Sequence, residues 1–464
     1  MSSQRTEHDL IGDRLVPGDV YYGIHTLRAR DNFPLTGIAL SAHPELVEAL
    51  AAVKAAAAAA HRDLGVLTSE RAAAVIRACE EIREGRLHDQ FVVDVFQGGA
   101  GTSANMNANE VIANRALELL GHERGAYGHL HPNDDVNRSQ STNDAFPTAV
   151  KLALHTAASR LLDGMSELAG AFTERGGTFA KTVKLGRTQL QDAVPMTLGQ
   201  EFDTFALTVR DDAEVITRAS GALLEVNLGG TAIGTGLNAE AGFAQAVMPH
   251  LAAITGLPVR PTRDLIEGTQ GMGGFLQLSS ALKQYAVRLA KICNDLRLLC
   301  SGPRAGLGEI RLPALQAGSS IMPGKVNPVI PEAVNQVCFE VIGVDASVCA
   351  AAQAGQLQLN AFEPLIVHLL LNSMNRLDAA SRLLAERCVQ GIEANEQHLR
   401  ELVEGSASLA TALNPVIGYQ RATELAQESL DTGLSVRELA RRRGLLSEEE
   451  LEACLDPWTL AHPC

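Results

Sequence analysis

From Leu282 onward, apolar residues fall at Leu282, Tyr285, Ala286, Leu289, Ile292, Cys293, Leu296, Leu299 and Cys300. These steps of three and four mark one face of a long helix lining a bundle seam. Similar stripes run from Val150 through Leu161, Met165, Leu168 and Phe172, and from Leu365 through Leu369, Met374, Leu377 and Leu384. Helices of this length exceed the usual three or four turns and bury themselves against one another and against partner subunits. The pattern predicts a mainly α fold with a central long-helix bundle over residues 142–395. Residues 1–141 read as a mixed, mostly helical and turn-rich domain with helices near 44–61 and 69–84. Residues 396–464 read as a small helical domain, where Ser435 with Glu438 and Ser447 with Glu450 have capping-box spacing. No internal repeat or low-complexity linker interrupts this order.

Composition narrows the class. A chain of 464 residues is too long for one ordinary core, and with only 4% aromatics and one tryptophan, Trp458, it favours helices over a β-sandwich. The formal net charge of −15 argues against nucleic acid or an anionic membrane as a partner. An anionic substrate must therefore be held by a local cluster of donors. The polar N-terminus has no signal-peptide character. The most membrane-like stretch, Ala51 to Ala60, is interrupted by Lys54 and is far short of the roughly 20 apolar residues of a span. The eight cysteines (79, 293, 300, 338, 349, 388, 454 and 464) show no metal-type spacing and read as reduced thiols of a cytoplasmic protein, with Cys293 and Cys300 on one helix face.

The segment Gly318-Ser-Ser-Ile-Met-Pro-Gly-Lys-Val-Asn-Pro328 is too rich in proline and glycine for a helix interior and must be a shaped loop. It is not a nucleotide-binding P-loop: five residues separate Gly318 from Gly324 where that motif has four, and Val326 stands where Ser or Thr would bind magnesium. Its serine hydroxyl, backbone N–H groups, lysine and asparagine suit a carboxylate. Three more polar clusters interrupt helical sequence, at 98–107, 131–144 and 186–192. Each alone reads as a turn or cap; together they describe a site for a small, multiply hydrogen-bonded substrate. His129 and His131 form an HxH without an evident third ligand, so no metal site is expected. Arg437, Arg441, Arg442 and Arg443 are followed by three consecutive glutamates and read as helix-end charges rather than a DNA-binding face.

GSSIMPGKVNP resembles the signature loop of the fumarase/aspartase superfamily, and the likeness runs over essentially the whole chain. YYGIHTLRA (21–29), GTSANMNANEVIANRA (101–116), SQSTND (139–144), GRTQLQDAVPMTLGQEF (186–202), NLGGTAIGTGLN (227–238) and NPVIPEAVNQV (327–337) are similar to the aspartases within it. The fumarases favour YWG, SSND and RTHLQDA instead. The resemblance implies a mostly helical three-domain subunit and a homotetramer whose active sites are each shared between three subunits. It further implies L-aspartate as substrate, fumarate and ammonia as products, and no organic cofactor, with activation by a divalent cation such as Mg left open. Ser319 would be the base. Lys325 and Asn327 would hold a carboxylate, and Thr102, Ser141, Thr142, Asn143, Thr188 and Gln189 would surround the substrate. Ser320, Met322, Gly324 and Glu332 would support them. His131 and Asn133 fall where fumarases form a second anion site. One departure is Glu267-Gly-Thr-Gln-Gly-Met-Gly-Gly274, where aspartases have something closer to EATQDTGA.

A serine base is costly. Bringing a hydroxyl from the ~15.7 of water to about 9 takes roughly 9 kcal/mol, and one ammonium about 4 Å away supplies roughly 4 kcal/mol at an effective dielectric of 20. Lys325 alone is insufficient. Loop N–H groups and exclusion of water must supply the rest, so the loop from about 317 to 328 is expected to be mobile when empty and to close over substrate. Relatives that add water carry histidine where this chain has Gln189. Hydroxide needs a proton donor to leave, whereas ammonium carries its own proton, and glutamine is no general acid. Loss of ammonia is therefore favoured, with class II fumarase or a lyase of a substituted aspartate as the alternatives. Intact Ser319, Lys325 and Asn327 speak against a non-catalytic relative that kept only the fold.

Overall fold

The computed structural model describes residues 4–462. It is mainly helical, and its longest helices are Thr142–Thr178, Leu198–Ala222, Gly273–Leu299, Val329–Gln353 and Glu363–Arg387. The stripe beginning at Leu282 is buried throughout as far as Leu299. Cys300 lies past the helix end and is only partly buried, so it does not share a helix face with Cys293. In the last bundle helix the buried line is Ile366, Leu370, Met374, Leu377 and Leu384; Leu365 and Leu369 stand one step off it and are half-buried.

The chain forms two compact units. The first comprises residues up to Leu162, Glu214–Gln284 and Glu340–Arg376; the second comprises Asp163–Ala213, Tyr285–Phe339 and the chain from Leu377. The long helices each contribute a stretch to both. Helices begin at Thr142 and Glu396.

In the first unit, helices Pro44–Asp63 and Ser69–Arg83 stand where the pattern predicts them. Pro44 occupies the first turn, where its missing N–H costs nothing, and Thr68 caps the second helix by accepting the Arg71 N–H at 3.3 Å. Ala51 to Ala60 are buried on every side, because alanine lets neighbouring helices approach closely; Lys54 is buried with them. His61 stacks on Phe243 of helix Phe243–Thr255 at 4.7 Å between ring centres. An antiparallel hairpin, Gln4–Asp9 with Gly12–Pro17, precedes these helices.

In the second unit, Val183–Thr188 pairs antiparallel with Gln191–Thr197. Leu185 of that hairpin joins an apolar cluster with Val403, Leu413, Leu425, Val436 and Leu451 of the C-terminal helices. Ser447 and Glu450 form the complete capping box. At Ser435 only half forms: the serine accepts the Glu438 N–H at 3.2 Å, while the Glu438 carboxylate turns to Arg442.

Among the described residues one helix, Val329–Gln353 rather than the alanine stretch, is long and apolar enough to cross a membrane by length and composition. Within it, Glu340 pairs with Arg376 and Asp345 with Lys283.

Candidate active site

In the first unit, Thr102 opens helix Thr102–Leu119 after a turn in which Gly99, Ala100 and Gly101 all have positive φ. Its hydroxyl donates to the Gly99 carbonyl at 2.6 Å, and the Gln97 side chain accepts the Ala104 N–H at 2.8 Å. One turn on, the buried Asn105 amide donates to Asn137 Oδ1 at 3.1 Å and to the Thr142 hydroxyl at 3.3 Å. This joins the Thr102 helix to the Ser141–Asn143 segment, which caps helix Thr142–Thr178. There Ser141 Oγ accepts the Asn143 N–H at 3.2 Å, and Asp144 Oδ1 accepts the Ser141 N–H at 2.9 Å. The Asn143 side-chain amide donates to the Ala232 carbonyl at 2.7 Å, which leaves Oδ1 and the second N–H of the amide to meet a ligand.

Beneath this segment lie charges that sequence reasoning did not single out. Lys54 donates to Asn137 Oδ1 and Gln140 Oε1, both at 2.9 Å. Burial lowers its pKa to about 7, against the pull of Asp144. The Asp144 carboxyl is pushed up to about 6 by burial, opposed by the N–H groups of Ser141, Thr231 and Gly229 and by Lys54. The only advance signal was a charged residue inside an otherwise apolar run, which Lys54 carried.

A cleft of about 500 Å³ adjoins Ser141, lined in part by Asn133, Asn137, Arg138 and Thr231. His131 does not offer its Nδ1 to that cleft's ligands, because this atom accepts the N–H groups of Asn133 and Asp134. His129 stacks on His122 at 3.8 Å. Among the described residues no group of three or more His, Cys, Asp or Glu is placed to hold a metal.

In the second unit, Thr188 and Gln191 pair across a two-residue turn, and its central residues Gln189 and Leu190 both have positive φ, 54° and 62°. That geometry belongs to a turn usually made by Asn-Gly, so two bulky L-residues here are strained. The turn thrusts Gln189 and Thr188 out of the hairpin, both exposed. Lys184 anchors the hairpin from below. It is buried between Glu201 at 2.7 Å and Glu309 at 2.9 Å, and Arg187 also pairs with Glu309.

The Gly318 loop is tied by its own backbone. The Gly318 N–H donates to the Lys325 carbonyl at 2.7 Å, and Asn327 Nδ2 donates to the Gly318 carbonyl at 2.7 Å. A Cβ on Gly318 would lie 2.8 Å from both Asn327 N and Lys325 O, so only glycine permits this closure. Ser319 Oγ accepts the N–H groups of Ile321 at 3.2 Å and Met322 at 2.9 Å, which gives the hydroxyl the N–H partners that an oxyanion requires. Ser320, Met322, Gly324 and Lys325 are exposed, with Gly324 at φ 78°. Asn327 is thus a loop-building residue as well as a candidate ligand. Glu332, in the first turn of helix Val329–Gln353, lies 4.0 Å from Arg297.

The candidate residues therefore fall into two sets. Thr102, Ser141, Thr142 and Asn143 belong to the first unit; Thr188, Gln189, Ser319, Lys325, Asn327 and Glu332 belong to the second. The unusual 267–274 segment is the end of helix Leu265–Gln270 and its exit. Thr269 there accepts a hydrogen bond from Asn227 at 3.1 Å. The C-terminal arginines are matched by acids: Arg437 with Glu452, Arg441 with Glu448, Arg442 with Glu438 and Arg443 with Glu428.

Known proteins resemble the chain over nearly its whole length. The family model described as a lyase matches residues 12–343, and that of the fumarase C C-terminus matches 409–462. An aspartate ammonia-lyase of Pseudomonas aeruginosa is 55% identical over 100% of this chain and 98% of its own. That of Escherichia coli K12 is 50% identical over 99% and 96%. Among solved structures, a Brucella melitensis protein described as a fumarate lyase:delta crystallin bound to cobalt is 56% identical, with a TM-score of 0.97 over 99% of this chain and 100% of that one. A class II fumarase of Schistosoma mansoni is 34% identical with a TM-score of 0.95 over the same shares. A lyase model spanning most of the chain, full-length identity of 50–55% to aspartate ammonia-lyases and the motifs above place the chain in one family: it belongs to the fumarase/aspartase superfamily, among its aspartate ammonia-lyases.

Proposed function

We propose that this chain catalyses the reversible elimination of ammonia from L-aspartate to give fumarate, with Ser319 as the base. The observation that carries the reading is the Ser319 hydroxyl oxygen seated on two backbone N–H groups inside a loop closed upon itself at Gly318. An ionised Ser319 takes the proton from C3, and the electron pair spreads onto the adjacent carboxylate as an aci form. That pair then forms the C2–C3 double bond as the C–N bond breaks. The amino group departs with its own protons, as ammonia. Lys325 and Asn327 hold the carboxylate that takes up charge. Thr102, Ser141, Thr142, Asn143, Thr188 and Gln189 surround the rest, and Asn143 Oδ1 supplies an acceptor suited to the substrate ammonium. Ser320, Met322, Gly324 and Glu332 support the loop.

The working form is a homotetramer in the cytoplasm, with each active site drawn from three subunits and each subunit divided at about 141 and 395. Supporting the assembly, Leu207, Val287 and Phe339 on the long helices are 56%, 49% and 58% exposed, an apolar surface that partner copies would cover. No organic cofactor is required; the same assay with and without Mg²⁺ decides whether a divalent cation activates.

The test is the ultraviolet absorbance of fumarate formed from L-aspartate or L-malate. Fumarate from aspartate alone, lowered on the order of 10³-fold by Ser319→Ala, is the expected result. Fumarate from malate would make the chain a class II fumarase despite Gln189. No product from either would point to a substituted aspartate as substrate or to a non-catalytic relative that kept only the fold.

A further inference from the structure

Asp144 is the hub of a buried arrangement that fixes the substrate-facing segment by its backbone. Its carboxylate is fully buried and meets three N–H groups: Oδ1 takes Ser141 at 2.9 Å, and Oδ2 takes Gly229 at 2.9 Å and Thr231 at 3.0 Å. Ordinary helix capping explains the first bond but not the other two. Those reach 85 and 87 residues along the chain, into a turn where Gly229 has φ 96° and Thr231 φ 56°. Thr231 is a β-branched residue in a left-handed conformation, which costs on the order of 1–3 kcal/mol and persists only where its surroundings enforce it. Two N–H groups of one turn converging on a carboxylate form an internal anion-binding nest.

A second tether runs beside the first. Asn227 Nδ2 donates to the Asn143 carbonyl at 2.9 Å and to the Thr269 hydroxyl at 3.1 Å, and Thr269 in turn donates to the Leu265 carbonyl at 2.7 Å. Asn227 and Thr269 are fully buried. The outer face of the same turn receives the Asn143 side chain at Ala232. Lys54, on the other side, holds Asn137 and Gln140 and supplies the counter-charge to Asp144.

We propose that Asp144, with Asn227 and Thr269 behind it, is the positioning unit of the substrate site: it sets Ser141, Thr142 and Asn143 in their ligand-facing places against the 229–232 turn. This rests on the reading that those three residues contact L-aspartate.

The test measures kcat and KM for L-aspartate, the thermal transition and the oligomeric state of the full chain. In Asp144→Asn an N–H₂ group replaces one acceptor and faces an N–H donor. The expected result is a fall in kcat/KM of about 10²-fold carried mostly by KM, in protein that still assembles. Thr269→Val, nearly isosteric, should raise KM about 10-fold, and Thr269→Ser, which keeps both bonds, should recover most of that loss. If Asp144→Asn fails to assemble, the Thr269 pair decides. Assembled variants with lowered thermal transitions but unchanged KM would mean that the unit only stabilises the fold, and would overturn the proposal. A wild-type chain that makes no fumarate from L-aspartate defeats the proposed reaction instead, a result that stands apart from any difference between variants.

Discussion

The two sets of candidate residues are built in opposite ways. In the first unit, Ser141, Thr142 and Asn143 sit on a fully buried layer of Asp144, Asn227, Thr269, Lys54 and Asn105, each of which makes at least one hydrogen bond within the fold, although Asn105 Oδ1 and Asn227 Oδ1 accept none. In the second unit, the Gly318 loop and the Gln189 turn are exposed; the loop is closed by its own few bonds, and the turn is held from below by Lys184 and Glu309. Preorganised donors cost no reorganisation when charge develops, whereas a base that must be shielded from water has to sit on something that can move. Lesions in the buried layer should therefore act on binding and stability together, and lesions in the exposed loops should act on turnover with the fold intact.

The sharpest way to break that contrast is Gly318→Ala. A methyl group 2.8 Å from two backbone atoms forces open the closure by Lys325 and Asn327 and moves Ser319. Turnover should fall about 10- to 100-fold, as for misplacement of a reacting group by about 1 Å. Because the loop is exposed, the thermal transition should stay within about 1 °C. A large drop in thermal stability would show that the loop is part of the core and erase the distinction.

Much of this was legible in the sequence, and what was not has a common cause. The stripe from Leu282 to Leu299 repeats locally, so its period could be read off; in the stripe at 365–384 Met374, Leu377 and Leu384 lie on the buried line, and only Leu365 and Leu369 were read one step out of phase, because Ile366 and Leu370 lie beside them in an almost wholly apolar run. The Gly318 loop announced itself by composition, since glycine and proline act on the backbone wherever they stand. Asp144, Asn227 and Thr269 announced nothing. Each is a common turn or cap residue, and its role comes from partners 42 to 87 residues away. The turn at Gln189 was equally hidden, because a Gln-Leu pair does not signal left-handed backbone.

A further buried carboxyl of the first unit, outside the Asp144 arrangement, can be probed by pH. Glu363 is fully buried, and burial pushes its pKa from 4.5 up to about 8, opposed only by Lys151. A carboxyl with a raised folded-state value contributes stability that is complete below about 4.5 and is lost as pH rises toward 8. Glu363→Gln has no proton to lose. The variant should match the wild type at pH 4.5 and exceed it by a few degrees of thermal transition at pH 8. A difference that stays flat across that window would mean that Glu363 is compensated by more than Lys151.

The smallest effect concerns the Gln189 turn and tests whether its strain is kept for function. Positive φ at both central positions favours Asn-Gly, so Leu190→Gly relieves steric cost at one of them. The gain is partly offset because glycine also frees the unfolded chain, and the net stabilisation should be below about 1 kcal/mol. If the turn were mere connection, such a replacement would carry no penalty in turnover. If instead the stiffness of Leu190 holds Gln189 at the substrate, the same change should raise thermal stability slightly while lowering kcat/KM with L-aspartate several-fold. Opposite signs in the two measurements are what separate an exposed loop kept strained for chemistry from one that is only tolerated. A gain in stability with unchanged kcat/KM would place the Gln189 turn outside the working surface.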